Sequence, residues 1–182
     1  MNNPEQKYYQ AIYAAKDKYG GSPINLNTQS LLSLQTQFLL VIKKKQVKSI
    51  LDVGCGNNYF VDYLRKTTKI HAWGIDFASP KADQIADILK LPFKNKEWDW
   101  ITIWSALEHL RPEQIDIGLK EMSRVSNNFA IETVREPGTR NLKRTLWGRE
   151  LWVEHINKFG KIIKTIPHKV KKKELYIGRW NE

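Results

Sequence analysis

A pair of glycines with a distant carboxylate is the pattern in this sequence best suited to chemistry. Gly54 and Gly56 stand in the stretch ILDVGCGNNYF, where an apolar run gives way to a helical pattern, and Asp76 follows twenty residues after Gly56. Glycine lets a ligand approach the backbone because no Cβ intervenes, and the first turn of a helix offers unpaired N–H donors. A carboxylate at that distance can accept hydrogen bonds from ribose hydroxyls. The spacing therefore predicts a nucleoside-like ligand.

The residues after the glycines restrict the ligand further. A dinucleotide-binding loop has the pattern G-x-G-x-x-G, in which the third glycine lets the helix pack closely on the strand and a pyrophosphate binds at the helix N-terminus. Tyr59 occupies that third position and is bulky. NAD and FAD therefore fit poorly, whereas a ligand with ribose and adenine but no phosphate is less demanding of this position.

Strands and helices that alternate along the chain would position these residues. The run VKSILDVG predicts a strand buried on both faces, KIHAWGID, WDWITIWS and NNFAIETV predict further strands, and IADIL predicts a short one. Helical patterns separate them, two more precede them, and KIIKTIPHKVKKKELYIGRW predicts a C-terminal hairpin. Such alternation indicates a parallel sheet, whose ligands bind at the carboxyl ends of the strands.

The glycine loop and the strands around it resemble the class I S-adenosylmethionine-dependent methyltransferases. Members of that family carry an acidic residue followed by G-x-G-x-G after the first strand, and LDVGCGNN supplies Asp52, Gly54 and Gly56. Asn58 replaces the third glycine of the family motif, and asparagine tolerates left-handed backbone angles better than most residues. The stretches WGIDFA and ADILKLPFKNKEWDWITIWSALEHL continue the resemblance in order, so that it covers residues 47–134.

The resemblance implies a fold, a cofactor and a set of contacts. The fold is an α/β three-layer Rossmann-like sandwich with a mostly parallel seven-stranded sheet and a C-terminal antiparallel hairpin, and the cofactor is S-adenosyl-L-methionine. We expect a single methyltransferase domain over residues 1–182, with residues 1–46 as an N-terminal helical cap over the substrate pocket. The implied cofactor-binding residues are Asp52, Gly54, Cys55, Gly56, Asp76 at the ribose, Phe77, Asp87 and Ile88 at the adenine, and Trp104 and Ser105 at the methionine part.

Candidate acid–base residues follow the fourth predicted strand. Methyl transfer is an in-line displacement at a sulfonium methyl group, and a base is needed only where the acceptor carries a proton. Glu108 and His109 stand near the expected methyl group and are the catalytic candidates. The alternative is that this EHL stretch serves local structure or cofactor contact, as in many members of the family it resembles. His155 is a weaker candidate. Cys55, the single cysteine, stands in the wrong motif for a catalytic nucleophile.

The charge and composition of the chain restrict the kinds of partner that it can have. The formal net charge of the chain is +11, which raises the question of an anionic partner, although lysine outnumbers arginine by 22 to 8, a bias that coding composition alone can produce. The basic segment 135–149 predicts a mobile loop or lid that either binds the acceptor or is merely solvated. We expect no metal site, no membrane insertion, a cytoplasmic protein, and a monomer or homodimer.

Three functions are consistent with these patterns. We expect methylation of a small or medium-sized metabolite at oxygen or nitrogen, with the N-terminal helices and the basic segment covering the acceptor. The second hypothesis keeps the enzyme class but makes RNA or DNA the acceptor, because of the positive charge. The third is a protein that binds S-adenosylmethionine without catalysis, motivated by Asn58 and by the open assignment of a base.

Overall fold

The computed structural model describes residues 3–15, 34–43, 45–134, 143–168 and 172–181, and the statements below concern these residues. No helix among them is long and apolar enough to cross a membrane. Their elements, in chain order, are α1 (Pro4–Ala15), α2 (Leu34–Ile42), β1 (Ser49–Val53), α3 (Tyr59–Thr67), β2 (His71–Asp76), β3 (Gln84–Ile85), β4 (Trp98–Trp104), a 3₁₀ helix (Leu107–His109), α4 (Pro112–Val125), β5 (Ser126–Val134), α5 (Arg149–Phe159), β6 (Gly160–Pro167) and β7 (Lys173–Trp180).

The strands form one sheet in the order β3-β2-β1-β4-β5-β7-β6. The pairs β1–β2, β1–β4, β2–β3 and β4–β5 are parallel, whereas β7 runs antiparallel to both β5 and β6. The predicted mostly parallel sheet with a C-terminal hairpin is therefore confirmed. The order reverses direction between β1 and β4, and ligands of open parallel sheets bind at such a switch point.

The predicted strand over IADIL is wrong beyond its first residue, because β3 ends at Ile85. Two residues later the Asp87 carboxylate accepts a hydrogen bond from the Leu89 backbone N–H at 2.9 Å, and the Lys90 N–H donates to the Asp87 carbonyl at 3.0 Å. Aspartate commonly stabilises a turn in this way. The turn carries Asp87 and Ile88 towards the carboxyl ends of the strands instead of extending the sheet.

Helices cover both faces of the sheet and complete the three layers. On one face α4 and α5 bury Ile115, Leu119 and Trp152 against the sheet, and on the other α2 and α3 bury Phe38 and Leu64. Burial of a side chain of this size contributes roughly 1.5–3 kcal/mol. The two cores fix the sheet between the helix layers and leave the carboxyl ends of the central strands as the place for a site.

Candidate active site

A cavity of about 860 Å³ lies at the carboxyl ends of β1, β2 and β4, beside the switch point of the sheet. Small-molecule sites commonly have volumes of about 300–1,000 Å³. The structure brings together at this cavity all the residues predicted to bind the cofactor: Asp52, Gly54, Cys55, Gly56, Asp76, Phe77, Asp87, Ile88, Trp104 and Ser105.

The first turn of the cavity wall requires glycine for two separate reasons. Gly54 and Gly56 have φ values of +69° and +56°, a region that side chains disfavour. A Cβ at Gly54 would also lie 2.6 Å from the Cβ of Ala106, which follows β4. The Cys55 N–H donates to the Ile75 carbonyl at 3.0 Å and ties the turn to β2. The turn therefore presents backbone, not side chains, at positions 54 and 56 of the cavity.

Asn58 is explained by its backbone and by its neighbours. It adopts φ +63°, the left-handed conformation in which the family has glycine, and it immediately precedes α3. Its side chain is buried against β2, where a Cβ at Gly74 would lie 2.0 Å from Asn58 Oδ1. Burial raises the pKa of Asp83, but hydrogen bonds from Arg65, Gly74 and Asn58 outweigh it and lower that pKa. Asn58 thus supports the turn from behind the cavity.

Asp76, at the end of β2, is the most heavily hydrogen-bonded carboxylate of the cavity wall. Its Oδ1 accepts from the N–H groups of Ala78 and Ser79, both at 2.9 Å. Its Oδ2 accepts from the Gly56 N–H at 3.0 Å and from the Tyr13 hydroxyl of α1 at 3.1 Å. The backbone donors fix the carboxylate towards the glycine turn. Of these four donors, only the Tyr13 hydroxyl belongs to a side chain. Its hydrogen bond to Asp76 Oδ2 is of the kind that a ribose hydroxyl would make.

Asp52, at the floor of the cavity, is only 1% exposed. Its Oδ1 accepts a hydrogen bond from the Thr102 hydroxyl on the neighbouring strand β4 at 2.6 Å. Burial raises the pKa of Asp52 to about 7, although the Thr102 bond lowers it, and the nearby charge of Asp76 raises it further. A carboxyl in this state can gain charge when a cationic group binds beside it, because an opposite charge favours its ionised form.

The residues predicted to lie at the adenine share one end of the cavity. Phe77 follows Asp76 and has its ring 6.4 Å from that of Tyr9, edge to face. Ile88 packs close to Gly118 of α4, where an added Cβ would lie 3.5 Å from the isoleucine side chain. Apolar walls of this kind suit a flat heterocycle.

The two predicted catalytic residues have different positions. His109 lines the cavity, and the Tyr9 hydroxyl lies 3.5 Å from its Nδ1. Glu108 has no exposed surface, does not line the cavity, and forms an ion pair with Lys143 at 3.2 Å. Its backbone carbonyl accepts from the N–H groups of Arg144 and Thr145. Glu108 therefore holds the chain that returns at residues 143–145, which is at odds with the direct catalytic role predicted for it.

Residues 143–149, the described part of the basic segment 135–149 that was predicted to be a mobile loop or lid, pack against the rest of the fold. Arg144 forms an ion pair with Glu5 of α1 at 2.9 Å, Thr145 is buried, and Arg149 begins α5. Trp147 packs with its ring 5.1 Å from that of Trp152. Residues 135–142, with two of the arginines, lie outside the described residues.

His155 and Cys55 lie in different parts of the fold. His155 lies on α5, where its Nδ1 is 2.5 Å from an Asp116 carboxylate oxygen, and it does not line the cavity. Burial raises the pKa of the Cys55 thiol well above its ordinary range, so this cysteine is a poor nucleophile. Within the described residues no group of three or more acidic, histidine or cysteine side chains is arranged to hold a metal ion.

Sequence reasoning missed several cavity residues that come from outside the family motifs. Tyr9 and Tyr13 lie one helical turn apart on α1, so their spacing could have indicated one shared face. Glu132 lies near the end of β5, and the rule that sites form at the carboxyl ends of parallel strands could have found it. Lys173, which begins β7, carries no such signal because it stands in a run of lysines.

Known proteins resemble this chain in sequence and in structure. The model of a family described as "Methyltransferase domain" matches residues 26–166. A probable pectin methylesterase from Arabidopsis thaliana is 24% identical over 129 residues, which are 63% of this chain and 46% of that protein, so the chain spans about half the length of this relative.

Solved structures share the whole fold at low sequence identity. The N-methyltransferase NodS from Bradyrhizobium japonicum, in complex with S-adenosyl-L-homocysteine, is 16% identical with a TM-score of 0.73, and the match covers 97% of this chain and 99% of that one. The geranyl diphosphate C-methyltransferase from Streptomyces coelicolor is 10% identical with a TM-score of 0.73 and complete coverage of both chains. Because the family model matches more than half of the chain, this protein belongs to that methyltransferase family, and its fold is the one found in class I S-adenosylmethionine-dependent methyltransferases.

Proposed function

We propose that this chain transfers the methyl group of S-adenosylmethionine to an oxygen or nitrogen of a small or medium-sized metabolite. The observation that carries the proposal is one cavity with two differently lined ends. Asp52, Gly56 and Asp76 line the end at β1 and β2, whereas Trp104 and Glu132 line the end at β4 and β5. The first end suits a nucleoside. The second leaves room for an acceptor beside the methionine part of the cofactor, where Trp104 and Ser105 are predicted to lie.

The residues of the first end fit the cofactor part by part. The Asp76 carboxylate would accept from the ribose hydroxyls in place of Tyr13, and Phe77 and Ile88 would border the adenine. The buried Asp52 carboxyl would face the positively charged methionine part, which favours its ionised form. The bound cofactor supplies a methyl group already activated by a sulfonium leaving group. What remains for the protein is to hold donor and acceptor in line and to exclude water.

The N-terminal helices support the proposed cap and a single domain over residues 1–182. Tyr9 and Tyr13 of α1 and Gln35 of α2 line the cavity together with the strand ends. The Gln6 side chain donates to the Phe77 carbonyl at 2.8 Å, which joins α1 to the end of β2. We propose that residues 1–46 cover the substrate pocket, as expected from the sequence.

An RNA or DNA acceptor is a weaker alternative, motivated by the net charge of +11. The described arginine and lysine that line the cavity already have acidic partners, since Arg111 pairs with Glu113 and Lys173 with Glu132. Two cations outside the lining are paired as well, Lys143 with Glu108 and Arg144 with Glu5. Phosphate contacts release counterions, so an enzyme acting on nucleic acid should bind it with a strong salt dependence. Affinity for RNA and DNA oligonucleotides that does not change between low and moderate salt would exclude this alternative.

Titration calorimetry with S-adenosylmethionine and S-adenosylhomocysteine tests the proposal at the cofactor. We expect both to bind, and Asp76→Ala to weaken both by about tenfold to a hundredfold, because hydrogen bonds to a charged group contribute roughly 1.5–3 kcal/mol. Asp116→Asn is the matched control, since this carboxylate pairs with Lys158 at 3.2 Å and does not line the cavity. Folded protein that takes up neither ligand would refute the proposal, and absence of turnover over a broad panel of acceptors would favour the non-catalytic hypothesis.

A further inference from the structure

Three polar side chains meet at the second end of the cavity. Ser105 follows β4, Glu132 lies in β5 and Lys173 begins β7, so neighbouring parts of the sheet bring them together. The Lys173 ammonium donates to Glu132 Oε1 at 2.7 Å and to the Ser105 hydroxyl, which in turn donates to the same Oε1. All three residues line the cavity. They form what we name the Ser-Glu-Lys cluster: Ser105, Glu132 and Lys173.

The Ser-Glu-Lys cluster has features that folding alone does not require. The Glu132 side chain is only 10% exposed, and burial of an ion pair in place of apolar residues rarely stabilises a fold. Ser105 adopts φ +54°, a left-handed backbone conformation that is unfavourable for serine. Strained residues and buried charges of this kind concentrate at functional sites. Here both features occur at the same wall of the same cavity.

The geometry leaves Glu132 able to receive a further donor. Both hydrogen bonds from Ser105 and Lys173 go to Oε1, so within the described residues Oε2 keeps its capacity to accept. The walls nearby are apolar and aromatic, with Leu34 of α2 and Trp104 of β4. A cavity end with apolar walls and one oriented carboxylate fits an acceptor that presents an N–H or O–H group.

We propose that Glu132 is the acceptor-binding carboxylate of this enzyme, and the proposal rests on the proposed methyl transfer. Glu132 accepts a hydrogen bond from the N–H or O–H that is to be methylated. The acceptor lone pair then forms the bond to the methyl carbon, the carbon–sulfur bond breaks with its electrons going to sulfur, and the acceptor proton passes to Glu132. Lys173 and Ser105 hold Oε1 throughout.

A probe for this position exists that does not require the acceptor to be known. Sinefungin is an S-adenosylmethionine analogue in which a carbon bearing a primary ammonium replaces the methylated sulfonium, so its ammonium points to where the acceptor would bind. S-adenosylhomocysteine lacks that group and is otherwise alike. The ratio of the two affinities therefore isolates what the protein offers next to the transferred methyl group.

Calorimetry with both ligands tests the proposal on the whole chain. We expect the wild type to bind sinefungin at least about tenfold more tightly than S-adenosylhomocysteine, because charge-assisted hydrogen bonds are the stronger ones. Glu132→Gln, which keeps the shape, should remove most of this preference and leave S-adenosylhomocysteine affinity within about threefold. Asp116→Asn, which removes a paired carboxylate outside the cavity, should keep the preference.

The possible outcomes distinguish failure of the role of Glu132 from failure of the proposed function. A wild type without preference for sinefungin would overturn the role of Glu132 even if Glu132→Gln failed to fold, while leaving cofactor binding intact. A preference that survives in folded Glu132→Gln would also overturn it. Wild-type protein that binds neither ligand would refute the proposed function itself, and the role of Glu132 with it.

Discussion

The buried carboxyl of Asp52 should make the stability of the ligand-free protein fall as the pH rises. Its pKa is raised from 3.8 to about 7 in the fold because burial disfavours the charged form, and it returns to its ordinary value on unfolding. Between these two pH values the folded state binds more protons than the unfolded state. The free energy of unfolding therefore decreases with pH across this window, by about 1.4 kcal/mol per unit and about 4 kcal/mol in full.

Asp52→Asn isolates this contribution, because the variant keeps the side-chain shape and can still accept from the Thr102 hydroxyl but does not titrate. Urea unfolding of wild type and variant at pH 5 and pH 8 gives the difference between them at each pH, which cancels the effect of other titrating groups. From pH 5 to pH 8 the wild type should lose about 3 kcal/mol relative to the variant. Two profiles that stay parallel within about 0.5 kcal/mol, close to the uncertainty of such extrapolations, would refute the reasoning.

Two further substitutions probe the cofactor end. Tyr13→Phe removes the hydroxyl that occupies Asp76 Oδ2, so S-adenosylhomocysteine should bind a few-fold more tightly by calorimetry, since one net hydrogen bond is worth about 1 kcal/mol; weaker binding would show that Tyr13 contacts the ligand favourably. Asn58→Gly keeps the left-handed backbone and should leave that affinity within about twofold, while urea unfolding shows a loss of about 1 kcal/mol from the missing bond to Asp83. A large loss of affinity with unchanged stability would place Asn58 in the binding site instead.

Local sequence patterns predicted most of the fold and the residues that line the first end of the cavity. Positive φ values and the close approach of Ala106 to Gly54 require glycine in the first turn. The spacing of these glycines is therefore a signal that can be recognised in the sequence alone. Asp76 ends β2, as chain periodicity predicts. Asp87 lies in a turn where periodicity predicted a strand, and only the family resemblance assigned it to the cofactor. Alternating strands and helices then determine which edge of the sheet gathers them.

What the sequence did not reveal depends on contacts between distant parts of the chain. The position of Glu108 after the fourth strand predicts a catalytic role, but Glu108 is fully buried and pairs with Lys143, 35 residues further along the chain. Glu132 and Lys173 lie 41 residues apart, and only the antiparallel pairing of β5 with β7 brings them to one place. Such long-range contacts depend on strand order and register, which the spacing of polar residues along the chain does not encode.

The contacts of α1 have a thermodynamic consequence for every ligand of the cavity. Glu5, Gln6 and Tyr13 each bond to a different partner across the mouth, namely Arg144, the Phe77 carbonyl and Asp76. A ligand that needs α1 displaced binds only the fraction of molecules in which these bonds are open. The dissociation constant that is measured then equals the intrinsic constant divided by that fraction, so changes in α1 far from the methyl group alter apparent affinity without touching the ligand.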